Sequence, residues 1–237
     1  MLVAADAEAG PVRAPLSRDR VLRAAVRIAD EGGIAALTMR RLAEDLGAEA
    51  MSLYYHVANK DEVLDGIADV VAREINEVVD ALNVPSAGAR WKNAVRRRIL
   101  AARQVLLRHP WAPAVFETRA AMSPEILVYH DRLLGLMRDG GFSYDLGHHA
   151  LHALGSRALG FSQELFDPGD GSGAGDELAG FAERLPHLVG MLSEITHDDP
   201  GSTLGWCDDQ AEFEFGLDLL LDGLDRLRES SPWHSLK

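Results

Sequence analysis

The side chains best suited to contact a partner molecule lie close together, within residues 38–60 of the 237-residue chain. Ser52 and Tyr54 can donate hydrogen bonds to phosphate oxygens, which fixes register on a duplex without reading its sequence. Ala50 and Met51 offer only apolar contact, which suits a thymine methyl group. The full set of candidates for contact with DNA is Thr38, Met39, Arg40, Ala50, Met51, Ser52, Tyr54, Tyr55, His56 and Lys60.

Some of these side chains have a second interpretation. Packing into a core explains one of Tyr54 and Tyr55 as well as contact with DNA does, and His56 could be ordinary surface. Lys60 is predicted at the start of a helix, where free N–H groups and the positive end of the helix dipole favour a phosphate.

Short helices joined by tight turns must position these residues. Ser17 is a good N-cap for a first helix that residues 32–33 would end, and Thr38 is a good N-cap for a second. A third helix is predicted over residues 49–56, and the capping-box pattern at residues 59–62 opens a longer one. This order predicts a helix-turn-helix unit, whose second helix lies in the DNA major groove.

The charge of the chain is distributed in a way that permits DNA binding. The net charge is −13, but residues 11–60 carry eight Lys or Arg against six Asp or Glu, a net charge of +2. Phosphate attraction is therefore expected only through this N-terminal part, and the acidic remainder would orient it towards DNA. Ordinary charge scatter is the alternative, since +2 is small.

Composition and periodicity predict a soluble all-α protein of about ten helices. No apolar run reaches the roughly 20 residues of a membrane span, so we expect no membrane association, and a single cysteine fits a reducing cytoplasm. The predicted organisation is a disordered arm, a helix-turn-helix domain, a ligand-binding and dimerisation domain, and a tail, at residues 1–16, 17–66, 67–229 and 230–237.

Two late helices carry apolar stripes at alternating spacings of three and four residues. Such seams suit near-parallel packing, and we interpret them as a dimer interface of two helices from each subunit. Packing into the subunit's own core is the alternative. The stripes consist of Leu151, Leu154, Ala158, Phe161 and Leu165, and of Phe213, Leu217, Leu220, Leu224 and Leu227.

Residues 16–70 resemble the tetracycline-repressor (TetR) family of bacterial transcriptional regulators. The motifs that carry the resemblance are VLRAA at residues 21–25, LTMRRLA at 37–43, LYYHV at 53–57 and NK at 59–60. The resemblance implies a homodimer that binds an operator in double-stranded DNA, most simply as a repressor, and is released by a small-molecule effector. It also places Arg40 at a position that reaches a base, and an arginine pairs best with guanine.

The same resemblance implies an effector pocket in the larger domain. The family's metal-binding histidine corresponds to Phe116 here, or to Val115 if a one-residue gap is placed differently. We therefore expect no metal and no cofactor, and an apolar or aromatic effector. The aromatic side chains of this predicted pocket could equally fill the core of the domain. The implied ligand-binding residues are Asn76, Arg98, Phe116, Arg119, Leu133, His148, Leu151 and Glu164.

Rival functions are a helical hydrolase and a dimeric small-molecule-binding protein, or an activator, of the same fold. The sequence lacks a Gly-x-Ser-x-Gly elbow and a phosphate-binding glycine loop, which argues against an enzyme. His148 and His152 have a spacing that can bind zinc, but no third ligand is evident, so ordinary structural histidines are favoured.

Overall fold

The computed structural model describes residues 15–82, 90–119, 123–160, 184–187, 189–190 and 209–230. Every regular element within these ranges is an α-helix, which confirms the all-α prediction. The helices are α1 (Arg18–Ala36), α2 (Met39–Leu46), α3 (Ala50–Leu53), α4 (Lys60–Ala81), α5 (Trp91–Arg108), α6 (Ala112–Thr118), α7 (Pro124–Asp139), α8 (Tyr144–Gly160) and α9 (Asp209–Glu229).

Some predicted elements fall on other parts of the chain. The loop predicted at residues 167–175 lies outside the described ranges, as do Phe161 and Leu165 and most of the helix predicted from residue 176. Of the helices that are described, none is long and apolar enough to span a membrane.

The chain forms two compact units, and neither is a single stretch of sequence. Unit 1 comprises Met1–Ala81 and Gln104–Tyr129, and unit 2 comprises Leu82–Arg103 and His130–Lys237. Unit 1 therefore contains α1 to α4 together with α6 and the start of α7. The predicted boundary at residue 66 stays a prediction.

The first helices of unit 1 form as their capping residues predict. The Ser17 side chain accepts a hydrogen bond from the Arg20 N–H (3.2 Å), and Thr38 accepts one from Arg41 (3.1 Å). The apolar face of α1 is buried against α2 and α4, which makes these three helices one core. Its buried residues are Val21, Leu22, Ala24, Ala25, Ile28 and Ala29.

The expected stop at residues 32–33 is confirmed as a break in the helix. Gly33 has φ 71° and ψ 175°, which is not helical and which glycine adopts without strain, and a further helical segment runs from there to Ala36. The expected turn after α2 is present. Gly47 has φ 61°, and the backbone N–H of Ala48 donates to the Ala43 carbonyl (3.0 Å), which closes the helix.

The capping box at the start of α4 is confirmed with one change of partner. The Glu62 N–H donates to Asn59 Oδ1 (2.8 Å), as expected for an N-cap. The Glu62 carboxylate accepts from the Ala58 N–H (2.6 Å), one residue before the expected partner. Both bonds fix the entry of the chain into α4 next to Lys60.

Unit 2 is held by contacts of α9 with α5 and α8. Arg96 donates to Glu214 and to Asp218, each at 2.6 Å, and Trp91 Nε1 donates to Asp225 (3.3 Å). These bonds recur along facing helices and fix their register.

The apolar stripe on α9 was expected to face the partner subunit, but it faces the core of its own subunit. Phe213 and Leu217 are completely buried within the one chain, and Leu224 is 7% exposed, so this part of the prediction is wrong. The stripe packs into the subunit's own core because α8 and α5 cover it. A different apolar row of α9 faces outward, made of Phe215 and Leu219, while Leu227 at the end of the predicted stripe is 37% exposed.

Candidate DNA interface and ligand cleft

A single turn of helix presents the predicted DNA-contacting side chains. The third helix is α3, only four residues long, and Tyr54, Tyr55 and His56 follow it in a turn, so the predicted helix over residues 49–56 is too long. Glu49 supplies no capping side-chain bond. The turn is closed instead by the N–H of His56, which donates to the Leu53 carbonyl (2.8 Å).

Two buried residues hold this turn on the core. Leu53 is fully buried and Val57 is 1% exposed. Burying a side chain of this kind stabilises a fold by about 1.5–3 kcal/mol. We name residues 50–56 the recognition turn, because Leu53 fixes one side of it and leaves the other free.

The free side carries the large candidates. Tyr55 is 89% exposed, Met51 70% and Tyr54 44%, while Ser52 and His56 are half-buried. Core packing therefore explains neither tyrosine. Large exposed apolar and aromatic side chains on one turn are typical of a contact surface.

The neighbouring candidates also lie at the surface. Arg40 on α2 is exposed and donates to Glu44 (2.8 Å), an ion pair that keeps its guanidinium in solvent and raises its pKa. Lys60 is exposed at the first residue of α4 and forms no ion pair with any residue in the described ranges. Thr38 and Met39 lie at the start of α2, where Thr38 already serves as the cap.

The predicted ligand-binding residues fall on both units. Phe116 and Arg119 line one cleft in unit 1, and Asn76, in the same unit, is buried and donates to the Glu125 carbonyl (2.9 Å). Unit 2 contains four others: Leu133 is buried, Arg98 and Leu151 are half-buried, and His148 is exposed. Glu164 lies outside the described residues.

The cleft in unit 1 has a volume of about 190 Å³. This exceeds the roughly 150 Å³ of a cavity that accepts one benzene ring, so the cleft has room for part of a small organic molecule. Its walls come from α4, from the end of α6 and from the start of α7. The lining residues are Asp65, Ala68, Asp69, Phe116, Arg119, Ser123, Pro124 and Ile126.

Sequence reasoning missed the α4 wall of this cleft. Asp65, Ala68 and Asp69 follow helical spacing and so share one face of α4. That spacing was available in the sequence, but nothing in it shows that the face would meet α6 and α7.

Arg119, just after α6, contacts the first turns of α4. Its guanidinium lies 3.4 Å from Asp61 and 3.3 Å from Asp65. The buried Nε atom of Arg119 has no hydrogen-bond partner among the residues that the structure describes. The cleft residue Arg119 is thus tied to the helix that starts with Lys60.

A second connection, which the sequence did not reveal, lies just before α6. His109 Nδ1 and Trp111 Nε1 both lie 2.7 Å from the same carboxylate oxygen of Asp30 on α1. His109 Nε2 lies 3.2 Å from Glu74 on α4, which also accepts from Arg108 at 2.5 Å. His109 is 7% exposed and Trp111 6%. We call Asp30, Glu74, Arg108, His109 and Trp111 the α6 joint.

The electrostatics of the joint keep Glu74 ionised. Burial alone would raise the pKa of its carboxyl group. The hydrogen bonds from Arg108 and His109 outweigh that effect, and the pKa of Glu74 is lowered below its ordinary value.

Comparisons with known proteins agree with this architecture. The family model for bacterial regulatory proteins of the tetR family matches residues 21–67, and that for the tetracyclin repressor-like C-terminal domain matches residues 84–228. An HTH-type transcriptional regulator from Saccharopolyspora erythraea is 36% identical over 211 residues, which cover 88% of this chain and 84% of the relative. The tetracycline repressor protein class D from Escherichia coli is 31% identical over 90% of each chain.

Solved structures show the same fold. The crystal structure of the TetR family protein ActR from Streptomyces coelicolor in complex with actinorhodin matches with a TM-score of 0.68 and 30% identity. The match covers 90% of this chain and 98% of that one. Fold, recognition turn and comparisons together define a ligand-responsive helix-turn-helix transcriptional regulator. The chain belongs to the tetR family of bacterial regulatory proteins.

Proposed function

We propose that the protein is a homodimeric repressor that binds a palindromic operator through two recognition turns and leaves it when a small organic effector enters the cleft. The proposal is carried by one observation: α6 forms a wall of the cleft and is attached at both ends to the helices of the DNA-binding segment. The neighbouring members of the family support the direction of the response, since one relative of 30% identity is named a transcriptional repressor.

The DNA-contacting roles follow from exposure. Tyr55, Tyr54 and Met51 project from the recognition turn into the major groove, with Ser52 and His56 beside them. Lys60 contacts a phosphate, because it has no competing acid partner in the described structure and starts a helix. Arg40 leaves its ion pair with Glu44 and donates hydrogen bonds to the edge of a guanine base. Thr38, Met39 and Ala50 complete the contact surface.

Dimerisation follows from the outward row of α9. Phe215 is 64% exposed and Leu219 57%, and each lies on the side of the helix opposite the buried Phe213 and Leu217. Exposed apolar rows of this size are typical of protein interfaces. A second copy of the chain is the proposed occupant, because a single helix-turn-helix reads few base pairs and paired half-sites match a two-fold protein.

The cleft would admit the apolar part of an effector beside Phe116, Pro124 and Ile126. Movement of α6 to make room would pull on Trp111 at one end and on Arg119 at the other. The first is bound to Asp30 of α1 and the second to Asp61 and Asp65 of α4. The recognition turn leads directly into α4, and α1 packs against both α2 and α4, so the operator contacts would change together. The other ligand-binding residues that the family resemblance implies, Asn76, Arg98, Leu133, His148, Leu151 and Glu164, stay predictions.

Selection of bound sequences from random DNA with the full-length protein tests the proposal. We expect an inverted repeat, which defines both the operator and the two-fold symmetry of the protein. Repeating the measurement with a panel of aromatic and apolar compounds should identify those that weaken binding. A consensus without internal symmetry would contradict the dimer, and no enriched sequence at all would contradict the operator-binding function.

A matched pair of variants tests the cleft. Phe116→Trp should fill part of the 190 Å³ volume and reduce the response to any compound that releases the operator. Leu107→Trp adds the same ring at an exposed position of unit 1 away from the lining residues and should leave the response unchanged. An unaltered response in Phe116→Trp would show that the effector binds elsewhere.

A further inference from the structure

His109 stands between two carboxylates, and this constrains its chemical form. A neutral imidazole has one N–H donor and one lone pair, whereas the imidazolium donates at both nitrogens. The Nδ1 atom lies 2.7 Å from Asp30 and the Nε2 atom 3.2 Å from Glu74. Carboxylates only accept hydrogen bonds, so a neutral ring would set a lone pair against a carboxylate oxygen on one side.

The charges around the ring lead to the same conclusion. Asp30 comes from α1, Glu74 from α4 and Arg108 from the end of α5. With an imidazolium, the two carboxylates face two cations, and the set is neutral. With a neutral ring it carries one uncompensated negative charge, which costs free energy in a site where His109 is 7% exposed.

The geometry points to His109 as a proton-sensitive tie: the imidazolium bridges Asp30 of α1 and Glu74 of α4, and loss of its proton breaks the bond to Glu74. The shorter contact to Asp30 is supported by Trp111, which donates to the same oxygen. The remaining N–H of a neutral ring therefore stays with Asp30. Glu74 keeps its bond to Arg108 but loses the one to His109.

The consequence would reach the DNA-binding surface through α4, which begins at Lys60. Once α4 is free of His109, the helix-turn-helix segment would populate more orientations, and the fraction fit to bind the operator would fall. Operator binding would therefore weaken as pH rises and this proton is lost. This response adds a proton input to the effector input, and its DNA measurement rests on the proposed function.

The proton on His109 can be observed without DNA. In full-length protein with ¹⁵N-labelled histidine rings, nuclear magnetic resonance at about pH 7 should show both His109 nitrogens protonated, as expected for an imidazolium. The histidine signal that disappears in His109→Gln gives the assignment. A ring with one unprotonated nitrogen at that pH would overturn the proposal.

Operator affinity measured over about pH 6 to 9 tests the consequence. Wild-type affinity should fall with rising pH by about fivefold more than that of His109→Gln, whose side-chain amide neither gains nor loses a proton over this range. His56 can add a pH dependence of its own to both proteins, so the difference between their slopes isolates His109. His187→Gln, which alters an exposed histidine of unit 2, should retain the wild-type slope.

Equal slopes in wild type and His109→Gln would overturn the proposal while leaving operator binding itself intact. If His109→Gln does not fold, Glu74→Gln serves in its place, because it removes the carboxylate charge that the imidazolium faces at Nε2. It should show the same reduced slope, and a wild-type slope would count against the proposal. Absence of operator binding at every pH would instead contradict the proposed function.

Discussion

The recognition turn and the α6 joint use polar side chains in opposite ways. On the recognition turn, Tyr55 points away from the protein, and the nearby Lys60 is left without an acid partner among the described residues. In the joint, His109 and Trp111 are almost entirely buried, and each donates to a carboxylate. Side chains without an ion-pair or hydrogen-bond partner are available to an external molecule. Side chains that bond to one another connect their helices, so that movement of one helix moves the other.

The comparison assigns binding specificity to the recognition turn and the coupling between helices to the α6 joint. Both regions belong to unit 1: the recognition turn lies between α2 and α4, and the α6 joint contacts α1 and α4. Changes on the recognition turn should alter DNA binding at little cost in stability. Changes at buried anchors and in the joint should alter stability or the response to ligand and protons.

The largest expected effect separates the two sides of the recognition turn. Leu53→Ala removes a fully buried side chain and should lower the free energy of unfolding by about 2–5 kcal/mol. Met51→Ala, two residues away and 70% exposed, should change it by less than about 0.5 kcal/mol while weakening operator binding. Urea unfolding of both variants measures the two free energies. Equal losses of stability would contradict the assignment of Leu53 to the buried side of the turn and of Met51 to its exposed side.

Arg40 should provide the largest single contribution to base selection. Arg40→Ala should cost about 1–3 kcal/mol of operator binding and relax the preference at one base pair, because the bidentate contact to guanine is lost. Competition with operators substituted at each position measures both effects. Glu44→Ala, which frees Arg40 from its ion pair, should bind at least as well as wild type. An undiminished preference at every position in Arg40→Ala would refute the assigned role.

Lys60 should act without regard to sequence. Lys60→Ala should weaken binding to the operator and to random DNA alike, by about 1 kcal/mol, and lower the dependence of log affinity on log salt by about one ion. Titrations at several salt concentrations test this. A loss confined to the operator would mean that Lys60 reads a base instead of a phosphate.

The smallest expected effect concerns acid stability of the joint. Because the pKa of Glu74 is lowered in the folded state, its contribution is present above its ordinary value of 4.5 and is lost as pH falls through the lowered pKa. Its side chain is 35% exposed, so solvent screening keeps the contribution below about 1 kcal/mol. The difference in unfolding free energy between wild type and Glu74→Gln should shrink on acidification. A difference that grows would have the wrong sign.

The DNA-binding segment was predictable from sequence because its signals are local. Ser17, Thr38 and Asn59 cap helices through bonds to residues three positions away, and such spacing is visible in the chain. The sequence left open which of Tyr54 and Tyr55 is exposed, and the structure exposes both. The length of α3 was overestimated, because propensity does not show where a helix gives way to a turn.

The joint and the cleft depend on contacts between distant parts of the chain. Asp30 meets His109 and Trp111 across about 80 positions, and Glu125 meets Asn76 across 49. No pattern among neighbouring residues in the sequence predicts such long-range pairs. The same limit explains the error on α9, where the spacing of Phe213 and Leu217 predicts a seam but does not say which neighbour covers it.

Site-specific photo-crosslinking tests most directly whether the recognition turn faces DNA while α6 faces inward. A benzophenone side chain is placed at Tyr55 in one variant and at Phe116 in another, and each complex with the selected operator is irradiated. We predict efficient crosslinking to DNA from position 55 and none from position 116. Crosslinks from position 116 with none from position 55 would contradict the assignment of both regions.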